Sequence, residues 1–227
     1  MSSAEIRALL PKAGGAELLD DGVYSLIIKN RWYAAKPELR WLREKVRPYL
    51  TEKRARHVAG CEEQAVKLAR RWGADVYEAA EAGILHDITK KLSDEEQLIM
   101  CGKYGIILDA AERRNPRILH ARTGAALARE LFGIPDGIYS AIRWHTTGKP
   151  DMSLMEKIIY LADFTEPTRD FEGVELRKLC FEDLDGAMEL GLRMSLEEIR
   201  SRGEDAYKDT VDAYQWYKKE QGGSATC

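Results

Sequence analysis

Apolar side chains recur at three- and four-residue spacing through most of this chain, and the same faces carry its histidines. That period is the signature of amphipathic helices. Alternating runs are sparse, and β-branched residues cluster only in short pieces such as YSLII. The expected fold is all-α, with a single core. All four histidines, His57, His86, His120 and His145, fall on the apolar faces of successive predicted helices, as do Asp87 and Asp163. Six such groups point to a metal centre with ligands enough for two ions.

Periodicity predicts helices over about 17–30, 37–50, 54–72, 75–90, 93–103, 107–113, 117–132, 136–146, 153–165, 174–178, 183–201 and 204–220. Gly73, Gly105, Gly133 and Gly148 follow periodic segments as stops, and Pro116 and Pro135 sit at starts. Ser153 and Glu156 are spaced as a capping box, and Asp75 with Glu78 makes a similar start.

Each candidate ligand shares a stripe with core residues. His57 recurs with Cys61, Gln64, Ala65, Leu68 and Trp72. Asp87 shares a stripe with Val76, Ala80, Gly83, Ile84 and Ile88 and therefore points inward. His86 lies about 100° round the helix from Asp87, within reach of one ion. An ionised carboxylate buried alone costs several kcal/mol, and a divalent cation removes that cost. His120 leads a stripe with Thr123, Gly124, Leu127 and Leu131; His145 follows Ile138, Ala141 and Ile142; Asp163 lies with Ile159 and Tyr160. Imidazole and carboxylate without thiolate favour iron, manganese, cobalt or zinc over magnesium alone.

Composition narrows the partners. Apolar content of 44% with 32% charged residues describes a soluble globular chain, and no apolar run approaches the roughly 18 residues that span a bilayer. A net charge of −3 gives no reason to expect nucleic acid. The start MSSAEIRALLPK lacks the pattern of a secretory signal, and four cysteines without a CxxC pair suit a reducing cytoplasm. Cys61 and Cys180 are expected in the core and Cys227 in an exposed tail.

The run His57, His86-Asp87 and Asp163 resembles the HD-domain superfamily of metal-dependent phosphohydrolases, an all-α fold, and His120 with His145 resembles its two-metal members. The words GILHDITKK, ILHARTGAALARELFGI, AIRWHTTGKPDMSLMEKIIYLADFTEPTRDFEGV and LRKL resemble the YqeK-type family over about residues 50–215. That resemblance implies a bacterial symmetrical bis(5′-nucleosyl)-tetraphosphatase that cleaves diadenosine tetraphosphate to two ADP at a di-iron centre. It implies that His57, His86, Asp87 and Asp163 hold one ion, and that Asp87 bridges to a second held by His120 and His145. A hydroxide between the ions would then attack a β-phosphorus. Substrate contacts are expected from Lys90, from Arg54, Arg143 and Arg169, and from the loop Thr146-Thr147-Gly148. Other readings are a broader HD nucleotidase or phosphodiesterase, and a nucleotide sensor that binds without turnover.

Residues 1–35 carry another likeness. SSAEIRALL and GVYSLIIKNRWY resemble the C-terminal tail of bacterial nicotinate-nucleotide adenylyltransferases, with Ser2, Ser3, Ile6 and Arg7 fitting and Ala4 in place of the expected Thr. The expected organisation is an adenylyltransferase-tail-like segment at 1–35, a linker helix at 36–50, an HD domain at 51–220 and a flexible tail at 221–227. The resemblance implies fusion ancestry between the two enzymes, without adenylyltransferase activity in this chain.

Overall fold

The computed structural model describes residues 2–169 and 174–223, with side chains described to 219. Cys227 and most of the expected tail lie outside the described residues. Helices follow one another as α1 (Ser3–Leu9), α2 (Asp21–Asn30), α3 (Leu39–Val46), α4 (Glu52–Trp72), α5 (Val76–Leu85), α6 (Asp94–Lys103) and α7 (Ala110–Arg114). Then come α8 (Leu119–Phe132), α9 (Asp136–Trp144), α10 (Leu154–Thr165), α11 (Val174–Leu179), α12 (Leu184–Ser201) and α13 (Lys208–Gly223). No strand occurs among the described residues, so the all-α expectation holds. None of these helices is long and apolar enough to cross a membrane.

Local chemistry sets the boundaries. Thr51 caps α4 through the Arg54 amide, and Gly73 ends it in a left-handed conformation. Asp75 accepts from the amides of Tyr77 and Glu78 to start α5. Ser153 and Glu156 form both halves of a capping box on α10. Each cap satisfies amides that the helix itself leaves unpaired.

The apolar faces of α4, α5, α9 and α10 meet in the centre, with α8 against α9 and α12 against α10. Leu68, Ile84, Leu85, Ile138, Ile142, Ile158 and Leu161 are buried there. Burial of each such side chain contributes about 1.5–3 kcal/mol.

The N-terminal segment is not an appendage. Leu10, Tyr24, Ile27 and Ile28 belong to the same continuous core, with α2 on α8 and α3 on α5. Arg31 pins the junction. Its Nε donates to the carbonyls of Phe132 and Gly133 at 3.1 and 3.0 Å, and its guanidinium pairs with buried Glu81. At Gly133, which ends α8 at φ 57°, a β-carbon would lie 2.1 Å from the Lys29 carbonyl oxygen. Only glycine lets the ends of α2 and α8 approach this closely.

One boundary corrects the sequence reading. The helix expected to run to residue 90 ends at Leu85, with His86 as its cap. Beyond it, the amides of Ile88, Lys90 and Leu92 bond the carbonyls of Leu85, Asp87 and Thr89, three residues back. These tight turns wind at about 120° per residue rather than 100°. Three residues per turn, with Thr89 anchored to its neighbours, overrides the apolar period at this point.

Candidate metal centre

His57 comes from the first half of α4, His86 and Asp87 from the turn after α5, and His120 from the first turn of α8. His145 caps α9, and Asp163 lies near the end of α10. All four imidazoles and Asp87 are buried.

The ring nitrogens are sorted by their partners. Nδ1 of His86, His120 and His145 each faces a backbone carbonyl three residues upstream, of Gly83, Arg117 and Ile142, at 2.8, 2.7 and 2.7 Å. A carbonyl only accepts, so Nδ1 donates, and Nε2 carries the lone pair whenever the ring is neutral. Nδ1 of His57 lies 3.1 Å from Oε1 of Glu166 instead. Every Nε2 turns to the centre in the ligand-ready tautomer.

Asp87 divides these nitrogens between its two oxygens. Its Oδ2 lies 3.6 Å from Nε2 of His57 and 3.5 Å from Nε2 of His86. Its Oδ1 lies 3.3 Å from Nε2 of His120 and 3.7 Å from Nε2 of His145. Asp163 Oδ1 completes the first group, 3.0 Å from His57 and 3.8 Å from His86. Ligands bound at right angles about 2.1 Å from one ion stand about 3.0 Å apart, and wider bond angles spread them further. His57, His86 and Asp163 form one cluster close enough to hold an ion; His86, Asp87 and His145 form another. The buried Oδ1 of Asp87 has no hydrogen-bond partner. A buried carboxylate oxygen facing lone pairs needs a cation, so the donor set fits divalent metal.

Burial lowers the His86 ring, but Cys61 and Asp87 outweigh it and hold it well above the usual histidine range, so a cation bound there would displace a proton. Burial pushes the Asp87 carboxyl up, but His86, His145 and His120 outweigh it and hold it well below its ordinary range. Burial is likewise outweighed at Asp163, by groups led by the Arg169 guanidinium. Burial, with Lys90 beside it, pushes His120 well below the usual histidine range, which keeps its ring neutral. Burial also lowers Lys90, against the opposing pull of Asp87 and Asp163.

A cavity of about 260 Å³ opens over the centre. Among its lining residues, Arg54 Nη1 donates to Asp87 Oδ2 at 2.7 Å and Arg169 Nη2 to Asp163 Oδ1 at 3.2 Å. Lys90 Nζ stands 3.3 Å from both ring nitrogens of His120. Thr146 lines the same cavity, and its buried hydroxyl has no partner.

Three expected substrate contacts are placed elsewhere. Arg143 stacks over the neighbouring Trp144 ring at 4.0 Å and does not line the cavity, and burial with Arg122 nearby lowers its guanidinium to about 10. Thr147 is buried and its hydroxyl donates to the Gly148 carbonyl at 3.0 Å. The Gly148 amide is spent on the Trp144 carbonyl, and the residue packs against Leu192, Ala213 and Met152. Ending α9 consumes these groups, so only the first residue of the loop faces the cavity.

The sequence reading also passed over three supporting residues. Glu166, only 1% exposed, takes Thr168 Nα and Oγ1 at 2.6 and 2.7 Å as well as His57. Arg177 of α11 donates to the carbonyls of Thr165 and Arg169, at 3.2 and 2.7 Å, and so fixes that turn. Thr89 donates to the His120 carbonyl at 2.9 Å and meets Thr123 at the same distance. The available signal was Gly60, one turn after His57, whose missing side chain leaves room for Glu166.

The HD-domain model matches residues 54–168, which is half of the chain and spans every ligand named above. The chain belongs to the HD-domain family. Among HD-domain relatives, the symmetrical bis(5′-nucleosyl)-tetraphosphatase of Halalkalibacterium halodurans is 39% identical over 78% of this chain and 95% of its own. A crystal structure from Clostridium acetobutylicum, described as a predicted HD superfamily hydrolase involved in NAD metabolism, superposes with a TM-score of 0.76. It is 36% identical and covers 79% of this chain and 96% of that one. A Mycoplasma pneumoniae protein named as a probable nicotinate-nucleotide adenylyltransferase/Ap4A hydrolase is 30% identical over 71% of this chain, but only 47% of its own length.

Proposed function

We propose that this chain hydrolyses dinucleoside polyphosphates symmetrically, taking diadenosine tetraphosphate and water to two ADP. The observation that carries this reading is the division of Asp87, whose two oxygens face separate pairs of histidines beneath a cation-lined cavity. The relatives named for that activity cover nearly their whole length with this chain.

His57, His86, Asp87 and Asp163 would hold one divalent ion, and His120 and His145 a second shared through Asp87. Iron is the metal proposed, with manganese, cobalt or zinc compatible with the donor set. When bound, the ions supply Lewis-acid charge and lower the pKa of water from about 15.7 toward 7. The protein's own part is binding and charge placement. Arg54, Lys90 and Arg169 converge where the phosphate chain must lie, and the Thr146 hydroxyl offers a donor with no competing partner. Two ADP arise only if water's oxygen joins a β-phosphorus while the bond from that phosphorus to the central bridging oxygen breaks. The released ADP takes that oxygen. Lys90, its ammonium destabilised by burial, is placed to neutralise the departing phosphate.

Product analysis of diadenosine tetraphosphate after incubation with anaerobically iron-loaded protein tests the reading. ADP as sole product supports it. AMP with ATP places the attack on another phosphorus and overturns it. Tight nucleotide binding without product replaces it with a sensor.

For the N-terminal segment we infer descent from an adenylyltransferase tail. The Ser2 cap of α1, the likeness of residues 1–35 and the doubly named Mycoplasma relative support it. Adenylylation of a nicotinate nucleotide by this chain would overturn the expectation that this activity is absent.

A further inference from the structure

The metal cavity has an inner and an outer set of cations. Arg54, Lys90 and Arg169 touch metal-ligand side chains, as described above. Arg117 and Arg202 stand at the rim, each paired with a carboxylate, Glu204 for Arg117 at 2.9 Å and Glu198 for Arg202.

Arg117 differs from the others in position. It lines the metal cavity and also two adjoining hollows, of about 400 and 290 Å³. The larger hollow holds Arg114, Asn115 and Tyr207, and it shares both Arg117 and Glu204 with the metal cavity. The Arg117–Glu204 pair is therefore the partition between them. Size makes that partition matter. A pocket for one drug-sized ligand has about 300–1,000 Å³, and the metal cavity alone, at about 260 Å³, is below that range. A dinucleoside tetraphosphate has a second nucleotide beyond the bond that breaks, and it needs a second seat.

The partition is built to exchange partners. Arg117 is 61% exposed at its side chain and Glu204 25%, so water and salt screen the pair. Asn115 Nδ2 also donates to Glu204 Oε2, at 3.0 Å, so losing Arg117 leaves this carboxylate with a donor. The Arg117 carbonyl meanwhile stays on Nδ1 of His120. Its backbone is fixed beside the metal ligands while its guanidinium is free to turn.

We propose that Arg117 is a specificity residue for dinucleoside polyphosphates: its guanidinium leaves Glu204 for a phosphate of the distal nucleotide, and the hollow behind it seats the second nucleoside. A phosphate of the polyphosphate chain offers the guanidinium two acceptor oxygens in the same bidentate geometry as carboxylate, next to the charges of its neighbours in the chain. This rests on the proposed function and names the part of the substrate that the rim reads.

Calorimetric titration of the metal-loaded protein with two probes tests it: ADP, and a diadenosine tetraphosphate whose central bridging oxygen is replaced by methylene and so resists cleavage. Arg117→Ala is expected to weaken the methylene analogue about tenfold and ADP less than about twofold, the loss of one charge-assisted bond to the distal half. Glu204→Gln frees Arg117 without removing it, so the analogue should bind as tightly as before or up to about threefold tighter. Equal weakening of both probes by Arg117→Ala, or no weakening of the analogue, overturns the proposal. So does an analogue weakened by Glu204→Gln as much as by Arg117→Ala, since the pair would then be structural. If the unaltered chain releases no ADP from diadenosine tetraphosphate and does not bind the analogue, the functional reading itself falls and takes this one with it. Normal turnover with an indifferent Arg117→Ala refutes this proposal alone.

Discussion

Gly60 and Glu166 meet so closely that a β-carbon on the glycine would stand 2.3 Å from Oε2 of the glutamate. The same glutamate holds Nδ1 of His57 through its other oxygen. The absent side chain of one residue thus sets the orientation of a metal ligand through another. Gly60→Ala should move the carboxylate off His57 rather than unfold the helix. Loss of such a supporting bond typically weakens metal binding about 10- to 100-fold. Glu166→Ala should do the same, while Glu166→Gln, which keeps an acceptor, should do less. Metal retained after dialysis against a graded chelator checks the order, with helical content by circular dichroism expected to stay unchanged.

Lys90 and Arg143 separate the cavity from its surroundings. Lys90 lines it and Arg143 lies on Trp144. Lys90→Ala is expected to lower kcat by roughly 10² to 10³, as for a donor that stabilises charge in the transition state. Arg143→Ala should alter kcat/KM by no more than about threefold, because it has no phosphate to release. Steady-state release of ADP from diadenosine tetraphosphate distinguishes them, and equal losses would return Arg143 to the site.

Acid should narrow the effect of removing Arg169. Burial raises the Asp163 carboxyl, and Arg169 leads the groups that overcome it and hold it low. A depressed carboxylate contributes stability that is fully present above its unfolded value of about 3.9 and lost as pH falls through the folded value. Metal-free Arg169→Ala should therefore be less stable than the metal-free parent at pH 7. The gap should close progressively below about pH 4. Urea midpoints of the two proteins across that range test the sign, and a gap that widens in acid contradicts it.

Arg31 should matter to the whole fold. Its removal leaves Glu81, 1% exposed, without its cation and strips the side-chain donor from the carbonyls of Phe132 and Gly133 at the end of α8. Breaking a buried pair costs about 3–5 kcal/mol, and protonation of Glu81, whose pKa burial already raises, recovers part of that. Urea denaturation of Arg31→Ala should show a loss of about 3 kcal/mol. A loss confined to the N-terminal segment would mean that it folds apart from the core.

The sequence by itself determined the helices and the ligand types, because both depend on short-range chemistry. Caps such as Ser153 with Glu156 act within one turn, and the three- and four-residue apolar period places His57, His120, His145 and Asp163 on inward faces wherever the helices pack. It misread the segment after Leu85, where turns anchored through Thr89 to His120 and Thr123 replace helix. Tertiary structure alone decided which histidines share each oxygen of Asp87. That depends on how α4, α8, α9 and α10 converge on one point, and no local period encodes it. It also decided that Glu166 rather than a backbone carbonyl supports His57, and that Thr147, Gly148 and Arg143 turn away from the cavity. The rim residues Arg117 and Glu204 are far apart in sequence and become neighbours only when the loop before α13 meets the start of α8. A side chain's chemistry is written in its own residue, but its partner is set by packing.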